Sequence, residues 1–363
     1  MGLGKTVMAI MSIKERNKYP VLIVCPAPLK LMWCREIQEW LGINVNPDEM
    51  NGDIIVTNYH RIGRIIPLMN RLSIKLVIFD ESHILKNEKS LRTKQAIHIA
   101  NRVPNRILMT GTPLLNRPHE LLSQLKILDK LDKFGGKQQF LNDFCRPTQT
   151  PWGINYDGFG DIQKLKTKMD KIWIRRTKLD VIQELPKKSI IKIPIIKFKQ
   201  DKFTSFKQNE AMEKDCIKHK LPMAVRWIDN FIESNEKLVI FAHHRFLIEY
   251  LMSCYPTACC VCGGQSSAIR SDNINRFQYG NANIIICSLQ ASSVGLTLTA
   301  SSNAMFLEFP WSPSLLEQAE DRIHRMTQTK PCSIYYLYAK DSVDEQRLNL
   351  ISTKKTIIDF IMR

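Results

Sequence analysis

The chain has 363 residues, 44% hydrophobic and 24% charged, which is enough apolar side chain for two domains with full cores and excludes wholesale disorder. No apolar run approaches the length that crosses a bilayer, and no secretory leader is recognisable. The net charge of +17 is uneven: residues 221–363 hold 13 Lys and Arg against 13 Asp and Glu, so the whole excess lies in residues 1–220 and suggests a polyanion held on part of the surface.

Met1–Thr6 contains Gly-Leu-Gly-Lys-Thr and leads into an apolar, helix-like Val7–Ile13. Glycines let backbone N–H groups face a phosphate, the Lys5 ammonium reaches terminal phosphates, and the Thr6 hydroxyl suits Mg²⁺. The same residues match the loose myristoylation pattern, which the phosphate reading outweighs. The strand that ordinarily feeds such a loop does not precede it, so the first lobe is expected to be N-terminally truncated. Val21–Cys25 reads as a buried strand, followed by a helix at about Leu29–Trp40 whose start sets Lys30 near a nucleic-acid phosphate; a plain surface lysine is the equal alternative. Asp53–Val56 is a third strand, ending in Thr57-Asn58-Tyr59-His60.

Lys75–Phe79 is an apolar run, read as a strand buried on both faces, and it ends in Asp80-Glu81-Ser82-His83. Acids at the carboxyl end of a parallel strand sit where α/β sheets bind ligands. Asp80 suits Mg²⁺ and Glu81 suits an attacking water, although a solvated acidic turn fits the tetrapeptide about as well. A helix near Glu88–Ala100 and a strand at Arg106–Met109 follow, the strand ending in Thr110-Gly111-Thr112-Pro113. Helices are expected at Pro118–Leu131 and Lys137–Phe144. Pro147–Gly160 is loop by composition, and the basic, weakly patterned Ile190–Lys220 is read as a connection between lobes.

The second half repeats the α/β texture, with strands at Leu238–Ala242, Ala258–Cys262, Ile284–Ser288, Met305–Phe309 and Ile334–Ala339. Helices fit Ser267–Phe277, Ser314–Met326 and Val343–Ile361. The ten cysteines lack a framework spacing and read as reduced thiols of an intracellular protein. Cys259, Cys260 and Cys262 lie close together, but no second pair follows at zinc-ligand spacing, so core positions are expected. His243 and His244 follow a strand and point to opposite faces, which suits nucleic-acid contact or a turn better than joint metal ligation. On the helix expected at Ser314–Met326, Gln318, Arg322 and Arg325 share one face, and two arginines with an amide make a clamp for a phosphoryl group. An i,i+4 ion pair between Asp321 and Arg325 is the plainer alternative.

Taken together, Gly-Leu-Gly-Lys-Thr, Asp-Glu-Ser-His, Thr-Gly-Thr-Pro and Gln-Ala-x-x-Arg-x-x-Arg-x-x-Gln resemble, in order, the motifs of superfamily 2 helicase-like ATPases. The Arg175-Arg176-x-Lys178…Leu185-Pro186-x-Lys188 box, Ser288-Leu289-x-Ala291…Gly295-Leu296-x-Leu298 and Trp311-Ser312-Pro313 narrow the resemblance to Swi/Snf-type DNA translocases. Asp80–Asn87, Arg117-Pro118-x-Glu120-Leu121, Pro151-Trp152-Gly153-x-x-Tyr156-x-Gly158 and Phe241–His244 look most like the HepA-related (HARP) annealing helicases. Two serines, Ser292 and Ser293, stand where many relatives have glycines.

The resemblance implies an α/β fold of two RecA-like lobes, each a mostly parallel sheet flanked by helices. Lobe 1 is expected at residues 1–146, an insertion and linker at 147–220, lobe 2 at 221–340, and a C-terminal helix at 341–363 packing back on the core. ATP is implied between the lobes. Gly2, Leu3, Gly4, Lys5, Thr6, Gly295, Gln318, Arg322 and Arg325 would hold it. Mg²⁺ would sit at Thr6, Asp80 and Glu81, and catalysis would fall to Lys5, Asp80, Glu81, Arg322 and Arg325. Double-stranded or forked DNA would meet Lys30, Asn58, His243, His244, Ser288 and Trp311, mainly through phosphates. The implied activity is a DNA-stimulated ATPase and double-strand translocase that remodels or reanneals DNA, acting as a monomer in a nucleus, a viral replication site or a bacterial cytoplasm. A catalytically impaired DNA-binding scaffold and a strand-separating superfamily 2 helicase are the alternatives.

Overall fold

Short runs of apolar residues build two parallel sheets in this computed structural model, which describes residues 3–151, 153–176, 180, 185–198, 206–292 and 296–362. The first sheet comprises β1 (Val21–Cys25), β2 (Ile54–Asn58), β3 (Leu76–Asp80) and β4 (Asn105–Met109), in the order β2-β1-β3-β4. Every pairing is parallel. All residues of β1, β2 and β3 are buried, as continuous apolar strands covered on both faces must be. One face packs Ile10, Ile13, Trp33 and Ile37 from the helices Lys5–Arg16 and Lys30–Leu41. The other packs Ala96, Ile99 and Ala100 from Leu91–Ala100, whose start is capped by Ser90 accepting from the Thr93 N–H.

Beyond this sheet, Leu121–Ile127 is helical only after a 3₁₀ turn at Pro118–Glu120, shorter than the expected Pro118–Leu131. The segment read as pure loop holds a small antiparallel hairpin, β5 (Thr148–Thr150) with β6 (Gly153–Asn155). A helix at Ile162–Met169 follows, capped by Asp161.

The second sheet has six strands: β7 (Lys188–Lys197), β8 (Leu238–Ala242), β9 (Cys259–Val261), β10 (Ile284–Ser288), β11 (Asn303–Phe306) and β12 (Cys332–Lys340). Their order is β7-β12-β11-β8-β10-β9, again parallel throughout. The segment Ile190–Lys220 is therefore structured over much of its described length. It supplies most of the edge strand β7 and the first half of a helix running Phe206–Ile232. That helix passes through Pro222, which by its chemistry reads as a break. Burial decides otherwise: Ile217, Ala224 and Ile228 lie in the core under the second sheet. The fully buried Lys220 is ion-paired with Asp344 at 2.6 Å.

Contacts divide the chain into one unit of Gly2–Arg176 with Ile357–Arg363 and another of Thr177–Thr356 with Met1. The helix Val343–Met362 thus contributes to both, and its Ile358, Ile361 and Met362 lie in a cluster with Phe134, Phe140 and Phe144. Among the described residues, no helix is long and apolar enough to cross a membrane.

Candidate nucleotide and DNA sites

In the first unit, Gly4 adopts φ 72°, ψ 25° and starts the helix Lys5–Arg16, a left-handed conformation that suits a residue without Cβ. This puts Lys5 and Thr6 in the first turn, where free N–H groups favour an anion. Gly2 lies outside the described residues, and Leu3 directly precedes this turn.

Asp80 ends β3 and is only 5% exposed. Its Oδ2 accepts from the Trp33 indole at 3.0 Å and its Oδ1 from the Glu81 N–H at 2.9 Å. The buried Tyr59 hydroxyl donates to its carbonyl at 2.6 Å, tying the turn after β2 to the end of β3. Burial pushes the Asp80 carboxyl up to about 6, and the Glu81 charge adds to this; the Trp33 bond, the Lys5 charge and the Glu81 N–H pull the other way. Lys5 thus acts electrostatically on Asp80. Glu81 itself stands at φ 49°, ψ 50°, an uncommon conformation for a residue with Cβ and one found at functional turns.

His83 joins two motifs that the sequence presents separately. Its Nδ1 lies 3.2 Å from Glu81 Oε2 and 3.0 Å from Thr110 Oγ1, and Thr110 Oγ1 accepts from the Thr112 N–H at 3.0 Å. The acids after β3 and the Thr-Gly-Thr after β4 are therefore one connected turn system. Glu120 braces it from outside, accepting from the N–H groups of Leu115 and Asn116 at 2.9 Å each and pairing with Lys86 at 3.3 Å.

Lys30 and Asn58 come together at the ends of β1 and β2. Lys30 and Arg61 both pair with Asp48, the latter at 2.8 Å, while Asn58 Oδ1 accepts from the N–H groups of His60 and Arg61. Burial works against the Asp48 charge, but hydrogen bonds from Lys30 and Thr57 and the two cations hold its carboxyl below the usual range. Two cations on one acid leave a positive excess. Asn58, 6% exposed, is occupied in shaping the turn.

In the second unit, His243 and His244 directly follow β8, Ser288 ends β10 and Trp311 comes after β11, so all four belong to the carboxyl side of neighbouring parallel strands. The organiser is Glu308, 4% exposed: its Oε2 accepts from the N–H groups of His243 and His244 at 2.5 and 2.9 Å, and its Oε1 meets His244 Nδ1 at 2.5 Å. One face of the half-buried Trp311 ring is covered by the Arg347 guanidinium at 4.1 Å. Arg347 also donates to the Phe309 carbonyl at 2.9 Å and pairs with Glu213.

The arginine motif departs from the expected single helix. The helix ends at Glu320 rather than Met326, so Gln318 is helical while Arg322 and Arg325 lie in the following turns. The cause is competition for carbonyls. The Leu298 N–H takes the Arg322 carbonyl at 2.9 Å and the Gln328 side chain takes that of Ile323 at 3.0 Å, while the chain tightens into i→i+3 bonds at Arg322 and Ile323. The two arginines nonetheless come together against one loop. The Arg322 guanidinium donates to the Leu296 carbonyl at 3.2 Å, and that of Arg325 to Thr297 Oγ1 at 3.0 Å. Gly295 lies outside the described residues. The ion pair that would make Arg325 a helix-surface residue does not form among the described residues; its Nε donates instead to the Asp321 backbone carbonyl at 3.2 Å.

Trp33, Tyr59, Glu308 and Arg347 went unmarked in the sequence because each acts on a partner far along the chain. His83 stood beside the acids, and that adjacency was the available signal.

Parallel sheets with Gly-Lys-Thr, strand-end acids and a two-arginine turn define a helicase-like ATPase core. Residues 1–238 match the SNF2-related domain and residues 222–327 the helicase conserved C-terminal domain. The chain belongs to the SNF2-related family. It is 30% identical over 401 residues to the SWI/SNF-related matrix-associated actin-dependent regulator of chromatin subfamily A-like protein 1 of Xenopus laevis, covering 99% of this chain and 41% of that protein. It is 29% identical over 409 residues to the human DNA annealing helicase and endonuclease ZRANB3, covering 98% of this chain and 38% of that one. The chain thus spans about two fifths of these curated relatives. The Sulfolobus solfataricus SWI2/SNF2 ATPase core solved in complex with dsDNA aligns over 99% of this chain and 86% of its own, at 20% identity and a TM-score of 0.42.

Proposed function

We propose that the chain is an ATP-dependent, DNA-stimulated double-strand DNA translocase that remodels or reanneals DNA. The observation that carries the reading is the connected turn system after β3 and β4, with a buried Asp80, a strained Glu81 and His83 reaching Thr110. It accompanies an intact Gly-Lys-Thr helix start and a match to both domains of the family.

The residues fit a magnesium nucleotide. A buried carboxyl pushed up by burial and by a neighbouring acid is a site that gains from a cation, and a helix start bearing Lys5 gains from an anion. Thr6 and Asp80, with Glu81 beside them, would hold Mg²⁺, which when bound neutralises charge on the phosphates. Lys5 holds the terminal phosphates. Glu81 orients the attacking water and draws on its proton. His83 keeps the Glu81 carboxylate in register with Thr110. Arg322 and Arg325 answer the charge that develops on the transferred phosphoryl group, and Gln318 stands beside them. Lys30, Asn58, His243, His244, Ser288 and Trp311 contact DNA mainly through phosphates, so sequence specificity is low. The protein works as a monomer on DNA inside the cell, in a nucleus or at a viral replication site.

ATP hydrolysis by the purified chain, with and without duplex or forked DNA, tests the reading. Turnover stimulated by DNA supports it. Folded protein that binds DNA without hydrolysing ATP would make it a scaffold. Strand separation of a forked substrate would make it an unwinding helicase.

A further inference from the structure

The box that precedes the second sheet is knitted to the arginine motif. The Lys188 ammonium, at the start of β7, lies 2.7 Å from Glu320 Oε2 and 3.7 Å from Asp321 Oδ1. The three side chains are 20%, 2% and 9% exposed, so the cluster is largely shielded from water. Two further bonds fix its register: His324 Nε2 donates to the Pro186 carbonyl at 2.7 Å, and the Cys332 N–H to the Lys187 carbonyl at 2.8 Å. Tyr336 donates to the remaining Glu320 oxygen at 2.5 Å. Burial pulls the ammonium down, but the charges of Glu320 and Asp321 outweigh this and keep it protonated.

Asp321 precedes Arg325 by four residues, a spacing at which the two charges can meet on adjacent turns. Its carboxylate faces Lys188 instead, and Arg325 bonds to the Asp321 carbonyl and the Thr297 hydroxyl. Among the described residues the hydrogen bonds of Arg325 thus go to neutral partners, while the Asp321 charge acts on it only through space and offsets part of what burial costs the guanidinium. A guanidinium already locked in a bidentate carboxylate pair has fewer donors left for a phosphoryl group.

We propose that Lys188 is a positioning residue for Arg325: by engaging Glu320 and Asp321 it prevents a closing ion pair between Asp321 and Arg325, and leaves the guanidinium open to an anionic phosphoryl group. The inference rests on the proposed ATPase reading and adds to it a residue that need not touch nucleotide.

The test is DNA-stimulated turnover by the full chain carrying Lys188→Met, Lys188→Arg, Asp321→Asn, or Lys188→Met with Asp321→Asn. Lys188→Met should lower kcat by roughly 10- to 100-fold while the KM for ATP moves by less than about threefold. Lys188→Arg and Asp321→Asn alone should stay within about threefold of the parent, and the double variant should recover most of the loss, because the competing acid is gone. A lysine that merely stabilises the turn predicts no recovery. Unchanged kcat in Lys188→Met, an unrescued double variant, or a large loss in Asp321→Asn alone would each overturn the proposal. If Lys188→Met does not fold, Lys188→Gln, which still donates to Glu320 without the charge, takes its place with the same expectations. If the parent chain does not turn over, the ATPase reading fails and the positioning claim is read separately. The Arg325 Nε–H resonance, assigned with Arg325→Lys, should then shift in Lys188→Met and return in the double variant, and an unmoved resonance refutes it.

Discussion

Replacing Asp80 by asparagine separates the stability of the acid turn from its chemistry. The carboxyl is buried and its pKa stands at about 6 against an ordinary 3.8. At 1.36 kcal/mol per unit, holding the ionised form at neutral pH costs the fold about 3 kcal/mol. Asparagine keeps one acceptor for the Trp33 indole but loses the bond from the Glu81 N–H, worth about 1 kcal/mol. The net expectation for Asp80→Asn at pH 7.5, without nucleotide or divalent metal, is a gain of about 2 kcal/mol. For a unit of this size that is a rise in Tm of about 4–8 °C, measured by calorimetry. The sign of the pH dependence follows from the raised value. The unfolded chain releases its proton first, so stability falls as pH rises from about 4 to about 6, and the cost is complete above that. The advantage of the variant should therefore shrink to almost nothing by pH 4.5, while its ATP turnover is lost at every pH. A lower Tm at pH 7.5, or a gain unchanged at pH 4.5, would refute the reasoning that burial and the Glu81 charge raise this carboxyl.

Lys5→Ala and Glu81→Gln should each abolish turnover in an ATPase assay, the second with nucleotide binding retained; full activity in either variant rejects the site. Arg325→Ala should lower kcat by on the order of 10³ if its guanidinium answers transition-state charge, and a rate equal to the parent's makes it a structural residue. Affinity for duplex DNA should fall steeply between about 50 and 200 mM salt in a titration followed by anisotropy, and a flat profile contradicts a phosphate-tracking surface.

The sequence was most informative where burial is complete and local. Val21–Cys25, Leu238–Ala242 and Ile284–Ser288 are strands with the bounds their apolar runs suggest, because a run covered on both faces can only be a central strand of a parallel sheet. It was misleading where a partner elsewhere in the chain overrides local chemistry. The basic Ile190–Lys220, read as a connection, holds most of β7 and the first part of a long helix, since apolar residues such as Ile217 are held in the core. The helix expected to carry Gln318, Arg322 and Arg325 stops at Glu320, where the chain tightens into i→i+3 bonds and the next carbonyls, of Arg322 and Ile323, go to Leu298 and Gln328.

The amino-acid sequence by itself determined the family, the parallel α/β architecture and the chemical types at the nucleotide site, because these depend on residue identity and short spacing. Only the tertiary structure decided how those groups are tuned. Asp80 is raised by burial, Glu81 is turned into a strained conformation, His83 is set against Thr110, Glu308 holds two histidines, and Lys188 takes the acids beside Arg325. Apart from the strain at Glu81, these are charges and hydrogen bonds acting through space in a low-dielectric interior, where a partner 27 or 132 residues away counts as much as a neighbour.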